Sequence, residues 1–272
     1  MAISNISLSA GMRSNLLTLQ QTDSLLSRTQ ERLATGKKVN SALDNAQAFF
    51  AASGNNSRAS ALDTRKDAMG QAIQVVKAAD AGISAINSLL DQAAGIVATA
   101  KGSLGNTSDD AALKTQYDSI VSQIDDIVSD SGYQGTNLLK GSETLTVTFN
   151  AAGDHTLAIS GVSSDAASLA VATTFDGATG ATLDTITTEI AAAKDTLQTT
   201  STGLSGNLGI INARQGFTDA MINTLQVGAD KLTLADTNEE GANMLALQTR
   251  QQLGTISLSL ANQSNQAVLR LF

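Results

Sequence analysis

Leu62, Met69, Val76, Ile83, Leu90 and Val97 recur every seven residues without a break, and Ala72, Ala79, Ile86 and Ala93 follow three positions behind members of that row. Spacings of three, four and seven share one face of a helix but opposite faces of a strand, so the row predicts a helix of about 40 residues packed along other helices. Proline is absent from all 272 residues, where average usage would give roughly 14. Such a chain has no obligatory helix break and no slow prolyl isomerisation. Long helices are the fold it suits.

A thinner stripe precedes this one. Met12, Leu19, Leu26 and Leu33, with Leu16 at a neighbouring position, predict an N-terminal helix whose other seam positions are polar: Asp23 and Gln30, or Thr22 and Thr29 on the opposite side. It should stop at Gly36, with Asn40, Ser41 and Asp44 offering turn and capping chemistry. The long helix should end at GSLGNTSDD, and Leu113, Tyr117, Ile120, Ile124 and Ile127 predict a third.

The period then changes. GYQGTNLLKG is turn-rich, while TLTVTFN (144–150) and TLAIS (156–160) alternate by two and predict a hairpin around AAGDH, with irregular β structure through SLAVATTFDGATGA. Helical spacing resumes at Leu183 and holds register through Ile211 and on to Leu232. Gly203, Gly206 and Gly209 cost about 1 kcal/mol each in a helix; the register favours one long helix over a break at 199–209. The last helix opens at Asp236 or Thr237 as N-cap with acidic residues in its first turn. Its stripe is Leu253, Ile256, Leu260, Ala267 and Leu271, and Leu269 and Phe272 share the apolar close.

The fold class expected is mainly α: a long coiled-coil-like helical bundle with paired terminal helices and a small β-hairpin region. One domain is 1–36 plus 236–272, the other 37–235 with its β-rich segment at about 132–182. Two half-apolar terminal helices pair most simply with each other, and the pair still exposes a row that asks for copies of the same chain. The candidate subunit-interface residues are Met12, Leu16, Leu19, Leu26, Leu33, Leu253, Ile256, Leu260, Leu269, Leu271 and Phe272.

Other function classes find little support. A formal charge of −8 and a pI near 4.6 argue against a nucleic-acid surface. Cysteine is absent, so thiolate catalysis and cysteine metal sites are excluded. No run reaches 18 apolar residues, so no membrane insertion is expected, and the N-terminus lacks a basic region followed by an apolar block. A cytoplasmic protein, or export by a different route, is the expectation. His155 is a lone histidine at the hairpin tip, Asp109–Asp110 and Asp125–Asp126 are adjacent pairs suited to a cap and a solvated face, and no catalytic or phosphate-binding motif occurs. No catalytic, cofactor or metal residue is expected.

The ends carry a family pattern. Glu31–Gly36 and Lys38–Ala46 match E-R-L-(S/A)-(S/T)-G-x-(K/R)-(V/I)-N-S-A-x-D-(D/N)-A. GYQGTNLL (132–139) is similar to F-N-G-x-x-L-L, with Tyr133 and Gln134 in place of Phe and Asn. LGIINARQGFTDAMINTL (208–225) resembles L-G-x-x-x-N-R-F-x-x-A-I-x-N-L, and SLANQSNQAVLRLF ends as L-A-Q-A-N-Q-x-x-Q-x-V-L-x-L-L does, with Ser264 and Asn265 where Leu-Pro is common. Together these resemble bacterial flagellin, in a minimal form with only about 40 residues between GTNLL and Leu183.

The resemblance implies a homopolymer, the extracellular flagellar filament, with the terminal helices as inner wall and the middle helices as outer shell. Other flagellins could coassemble. It also implies unfolded export through the flagellar type III apparatus, a chaperone masking the C-terminal helix, and contacts with hook-associated and cap proteins. The runner-up within the family is the hook–filament junction protein; a flagellin carrying an enzyme in its insert is opposed by the short insert and single histidine. The β region, 141–182, is expected on the outer surface, with Ser and Thr open to O-linked sugars. Many members carry an L-Q-R-x-R-E-L-A-V patch gripped by a vertebrate innate receptor. Alignment on Asn87 and Val97 sets Asp91 and Ala93 at its arginines and Ala94 at its glutamate, which implies escape from that receptor.

Overall fold

The computed structural model of the chain describes residues 10–103, 107–173 and 179–269. In order these form α1 (Ala10–Thr35), α2 (Ala46–Gly102), α3 (Thr107–Asp130), β1 (Thr144–Thr148), β2 (Thr156–Ser160), α4 (Gly180–Thr233) and α5 (Thr237–Leu269). The mainly α bundle with one small hairpin is the class the spacing predicts. Two compact units divide the chain, Met1–Ser57 with Leu225–Phe272, and Arg58–Thr224, so α2 and α4 each contribute to both.

Helix α2 is 57 residues long rather than about 40. Its start is set by a cap upstream of the apolar row: Asn45 Oδ1 accepts the Ala48 N–H at 3.0 Å. Helix α4 runs 54 residues without interruption. Gly203, Gly206 and Gly209 all lie on its open side, while Leu197, Leu204 and Ile211 stay buried, so packing holds the helix where propensity is weakest.

In the unit Arg58–Thr224 the heptad row fills the core. Met69, Val76, Ile83, Leu90 and Val97 are buried with Tyr117, Ile124, Leu183, Ile190 and Leu197. Strands β1 and β2 pair antiparallel with Leu145 opposite Ile159 and Val147 opposite Leu157, and the buried Val147 and Ile159 lie on the core side. Of SLAVATTFDGATGA (168–181), residues 168–173 form a turn and irregular chain rather than β structure, 180–181 open α4, and 174–178 lie outside the described residues. Asp165 accepts the Ser168 N–H at 2.8 Å through its side chain and the Leu169 N–H at 2.9 Å through its carbonyl, which closes a helical turn there. Asp125 and Asp126 lie on the exposed side of α3, as expected, and Asp125 also accepts the Ala166 N–H at 2.9 Å. Helix α3 begins at Thr107, which places Asp109 and Asp110 in its first turn rather than at the cap.

Ala93 is fully buried, so it offers no side chain to a receptor. The outward positions are Asp91, Gln92 and Gly95, and Asp91 is held by Lys194 at 2.5 Å.

The phenol of Tyr117 donates to the Ala172 carbonyl at 2.9 Å. Burial, reinforced by Glu189 and Asp118, pushes its pKa up to about 12. A raised folded-state pKa means stability that is complete below the ordinary value of 10 and is lost as pH rises toward 12. Denaturant titrations across that window should show a loss of about 1–2 kcal/mol in the parent chain, after discounting for solvent screening near the hydroxyl, that is missing in Tyr117→Phe. Parallel pH profiles for the two would show that the phenol is not desolvated.

Candidate self-assembly surface

The unit Met1–Ser57 with Leu225–Phe272 is built on α1 and α5, which lie antiparallel: Asn15 meets Ser257 near one end and Arg32 meets Glu240 near the other. Gly36, at φ +67°, supplies the left-handed C-cap that ends α1. The chain then crosses residues 233–235: the Lys38 and Val39 N–H groups donate to the Thr233 carbonyl at 2.8 and 3.2 Å, and Ala235 N–H donates to the Gly36 carbonyl at 2.9 Å. Asp44 closes the next turn by accepting from Ser41 N–H and Asn40 N–H, bonds that hold its carboxyl below the usual range. Asp236, rather than Thr237, caps α5 by accepting the Asn238 N–H at 2.9 Å.

Polar contacts run the length of the α1–α5 seam. Asn15 donates to Ser257 at 3.3 Å, Gln251 donates to Asp23 at 3.2 Å, and Arg32 meets Glu240 at 2.8 Å. Thr22 and Thr29 are buried, the Thr22 hydroxyl being satisfied by the Thr18 carbonyl at 2.8 Å. A Cβ on Gly254 would come within 2.8 Å of Leu19 Cδ1, so glycine leaves the room that Leu19 occupies.

The Glu240 side chain is 9% exposed and Arg32 one third exposed. Removing Arg32 leaves a carboxylate desolvated without its partner. Fully buried pairs broken this way cost about 3–5 kcal/mol, and the partial exposure of Arg32 scales that down. Arg32→Ala is expected to destabilise the α1–α5 pair by about 2 kcal/mol, and Arg32→Ala with Glu240→Gln to recover most of it. Hydrogen exchange of the α5 amides in assembled filaments, where the pair is ordered, measures both.

The candidate interface residues fall into two groups. Met12 and Leu26 are buried and Leu19 and Leu33 half-buried, on the face of α1 nearest α5, with Leu16 at its exposed edge. Leu253, Ile256 and Leu260 are instead 60–64% exposed, together with Leu245. At 100° per residue these four fall within an arc of about 80°. The inward row is Glu240, Met244, Leu247, Gln251, Gly254, Leu258 and Ala261, all buried or half-buried. Leu258, absent from the predicted stripe, is therefore a seam residue, while the predicted stripe itself turns away from α1. Only the backbone of Leu269 is described, and Leu271 and Phe272 lie outside the described residues.

Eleven of the fourteen exposed large hydrophobic residues, among those described, belong to this unit; they include Leu17, Leu43, Phe50 and Val227. Scattered exposed leucines are ordinary, but a concentration of this kind marks a surface that associates. His155, by contrast, is an exposed residue of the hairpin turn in the other unit, and no cluster suited to a metal ion occurs among the described residues.

Long helices, a part-polar seam within the terminal pair and an open apolar row outside it are the features of a helical structural subunit. The chain matches the bacterial flagellin N-terminal helical region over residues 3–144 and the bacterial flagellin C-terminal helical region over residues 190–272. It belongs to the bacterial flagellin family. It is 31% identical over 283 residues to flagellin FljK of Caulobacter vibrioides, covering all of both chains, and 29% identical over 273 residues to a flagellin of Brucella melitensis, covering 94% of this chain and 95% of that one. A crystal structure of Bacillus cereus flagellin aligns with 54% of this chain and 86% of its own at TM-score 0.49 and 17% identity. The family is one of structural proteins, and this member is a subunit that self-assembles into the flagellar filament, which lies outside the cell. Nothing in these likenesses favours the hook–filament junction protein.

Proposed function

We propose that the terminal helices, 1–36 and 236–272, carry the contacts between filament subunits, with Leu253, Ile256 and Leu260 packing against a neighbouring copy. The observation that supports this is the open apolar row of α5, on the side away from the seam. In that seam Thr22, Thr29, Gln251 and Gly254 interrupt the apolar contacts of Met12, Leu26, Leu247 and Leu258. So interrupted, it holds α1 and α5 together weakly until a neighbour covers them. Folding of the ends is then completed by assembly. Before assembly the same row is what an export chaperone would cover on the way to the type III apparatus, and cap and hook-associated proteins would meet it at the filament ends.

Hydrogen exchange on monomer and filament tests this. Amides of α1 and α5 should exchange rapidly in the monomer and become protected in the filament, while α2 and α4 within 58–224 stay protected in both. Strong protection of α1 and α5 in the monomer would mean that the seam is sufficient alone, and the exposed row would lose its assigned role.

A further inference from the structure

Within the unit Arg58–Thr224 lies a cavity of 440 Å³ that the filament reading leaves unused. Three segments distant in sequence converge on it. Helix α2 contributes Arg58 and, one turn on, Leu62; α4 contributes Arg214 followed by Phe217, Thr218 and Met221; the hairpin turn contributes Phe149 and His155. In a chain of net charge −8, no carboxylate lines this cavity.

The neighbouring acids are already engaged. Lys66 takes both Asp63 and Asp219, at 3.0 and 3.3 Å. Asp154, the acid of the hairpin turn, is bound by the Asn150 amide, whose oxygen also accepts the Gly153 and His155 N–H groups. Arg58 and Arg214 are thereby left with no ion pair among the described residues. The Arg214 guanidinium lies over the Phe149 ring at 5.3 Å, which fixes it at the cavity wall before any ligand arrives. Thr218, only 2% exposed, adds a hydroxyl to the lining.

We infer that this cavity is a binding site for a phosphate monoester carried on a small ring or apolar body. Two guanidiniums match the charge of about −1.5 to −2 on such a group at neutral pH, whereas a lone carboxylate is satisfied by one bidentate arginine. The volume falls in the range of ligand pockets, about 300–1,000 Å³, and Leu62, Phe149, Phe217 and Met221 offer apolar wall for the body of the ligand.

Calorimetric titration of full-length monomer at fixed low salt tests the assignment, with phenyl phosphate as the probe and benzoate and inorganic phosphate beside it. Phenyl phosphate should bind saturably and more tightly than either. Arg58→Gln and Arg214→Gln should each weaken it by roughly tenfold, the order expected for one charge-assisted contact, and Lys37→Gln, in the other unit, should leave it unchanged. Circular dichroism confirms that each variant is folded. Absence of saturable binding to the folded parent, or equal binding by the arginine variants, overturns the site. Benzoate binding as tightly as phenyl phosphate overturns the phosphate assignment.

Discussion

A chain carrying Ile256→Asp and Leu260→Asp is expected to fold as the parent does and to form no filaments. In the single chain the two side chains are 63% and 64% exposed and face away from α1, so the monomer should lose no more than about 0.5 kcal/mol, as for ordinary surface changes. In the proposed filament contact the same positions are desolvated by a neighbour. Losing a buried Leu or Ile there costs about 2–5 kcal/mol each, and an unpaired carboxylate adds its own desolvation penalty. A loss of even about 4 kcal/mol per contact raises the subunit concentration needed for assembly by about a thousandfold. Sedimentation and electron microscopy measure assembly, and thermal unfolding by circular dichroism measures the monomer. Filaments in normal yield would remove α5's outer row from the interface. Met12→Ala and Leu26→Ala give the contrast: both residues are buried within the chain, so the terminal pair itself should weaken.

What could be read from the sequence depended on how apolar each row is. The α2 row was fully legible because every member from Met69 to Val97 sits in one dry core, where period and burial coincide. The α5 row was legible as a stripe, but its direction was not. An apolar stripe is ordinarily assigned to the nearest partner, whereas here α1 takes the other face, through Gly254, Leu258 and the polar pairs at Asp23 and Arg32. Leu258 was hidden because Gly254 and Gln251, one and two turns before it, break the apolar run on its own face. In α1 the burial of Thr22 and Thr29 was masked by their hydroxyls, one of which is satisfied inside its own helix. The Arg58–Arg214 cavity had no local signal at all. Its residues come from two helices and a hairpin turn, and only the fold brings them together.

Asn137 shows the same limit in a single residue, and it carries the largest stability effect expected of one polar side chain here. In sequence it is one letter of a turn-rich stretch; in the fold it is 4% exposed and its side chain is spent on backbone. Its Nδ2 donates to the Val128 and Ser129 carbonyls at 2.7 and 3.3 Å, and its Oδ1 accepts the Leu139 N–H at 2.9 Å. Helix α3 ends at Asp130, so those two carbonyls are among the last four that no later turn of the helix can satisfy. Leu138 and Leu139, which follow, are fully buried and carry the chain toward β1. Asn137→Ala therefore strands the buried Val128 carbonyl and Leu139 N–H, and takes a partner from the part-buried Ser129 carbonyl, at about 1–3 kcal/mol for each buried group left unmatched. The expected loss is about 3 kcal/mol or more. Asn137→Leu restores the volume but not the partners and should be no better. Asn137→Asp keeps an acceptor for Leu139 but turns a negative oxygen toward two carbonyls, so it should not rescue. Urea unfolding should show the shift in midpoint at constant slope for all three variants. A loss under about 1 kcal/mol for Asn137→Ala, or recovery by Asn137→Leu, would show that shape rather than hydrogen bonding holds the end of α3 to the hairpin.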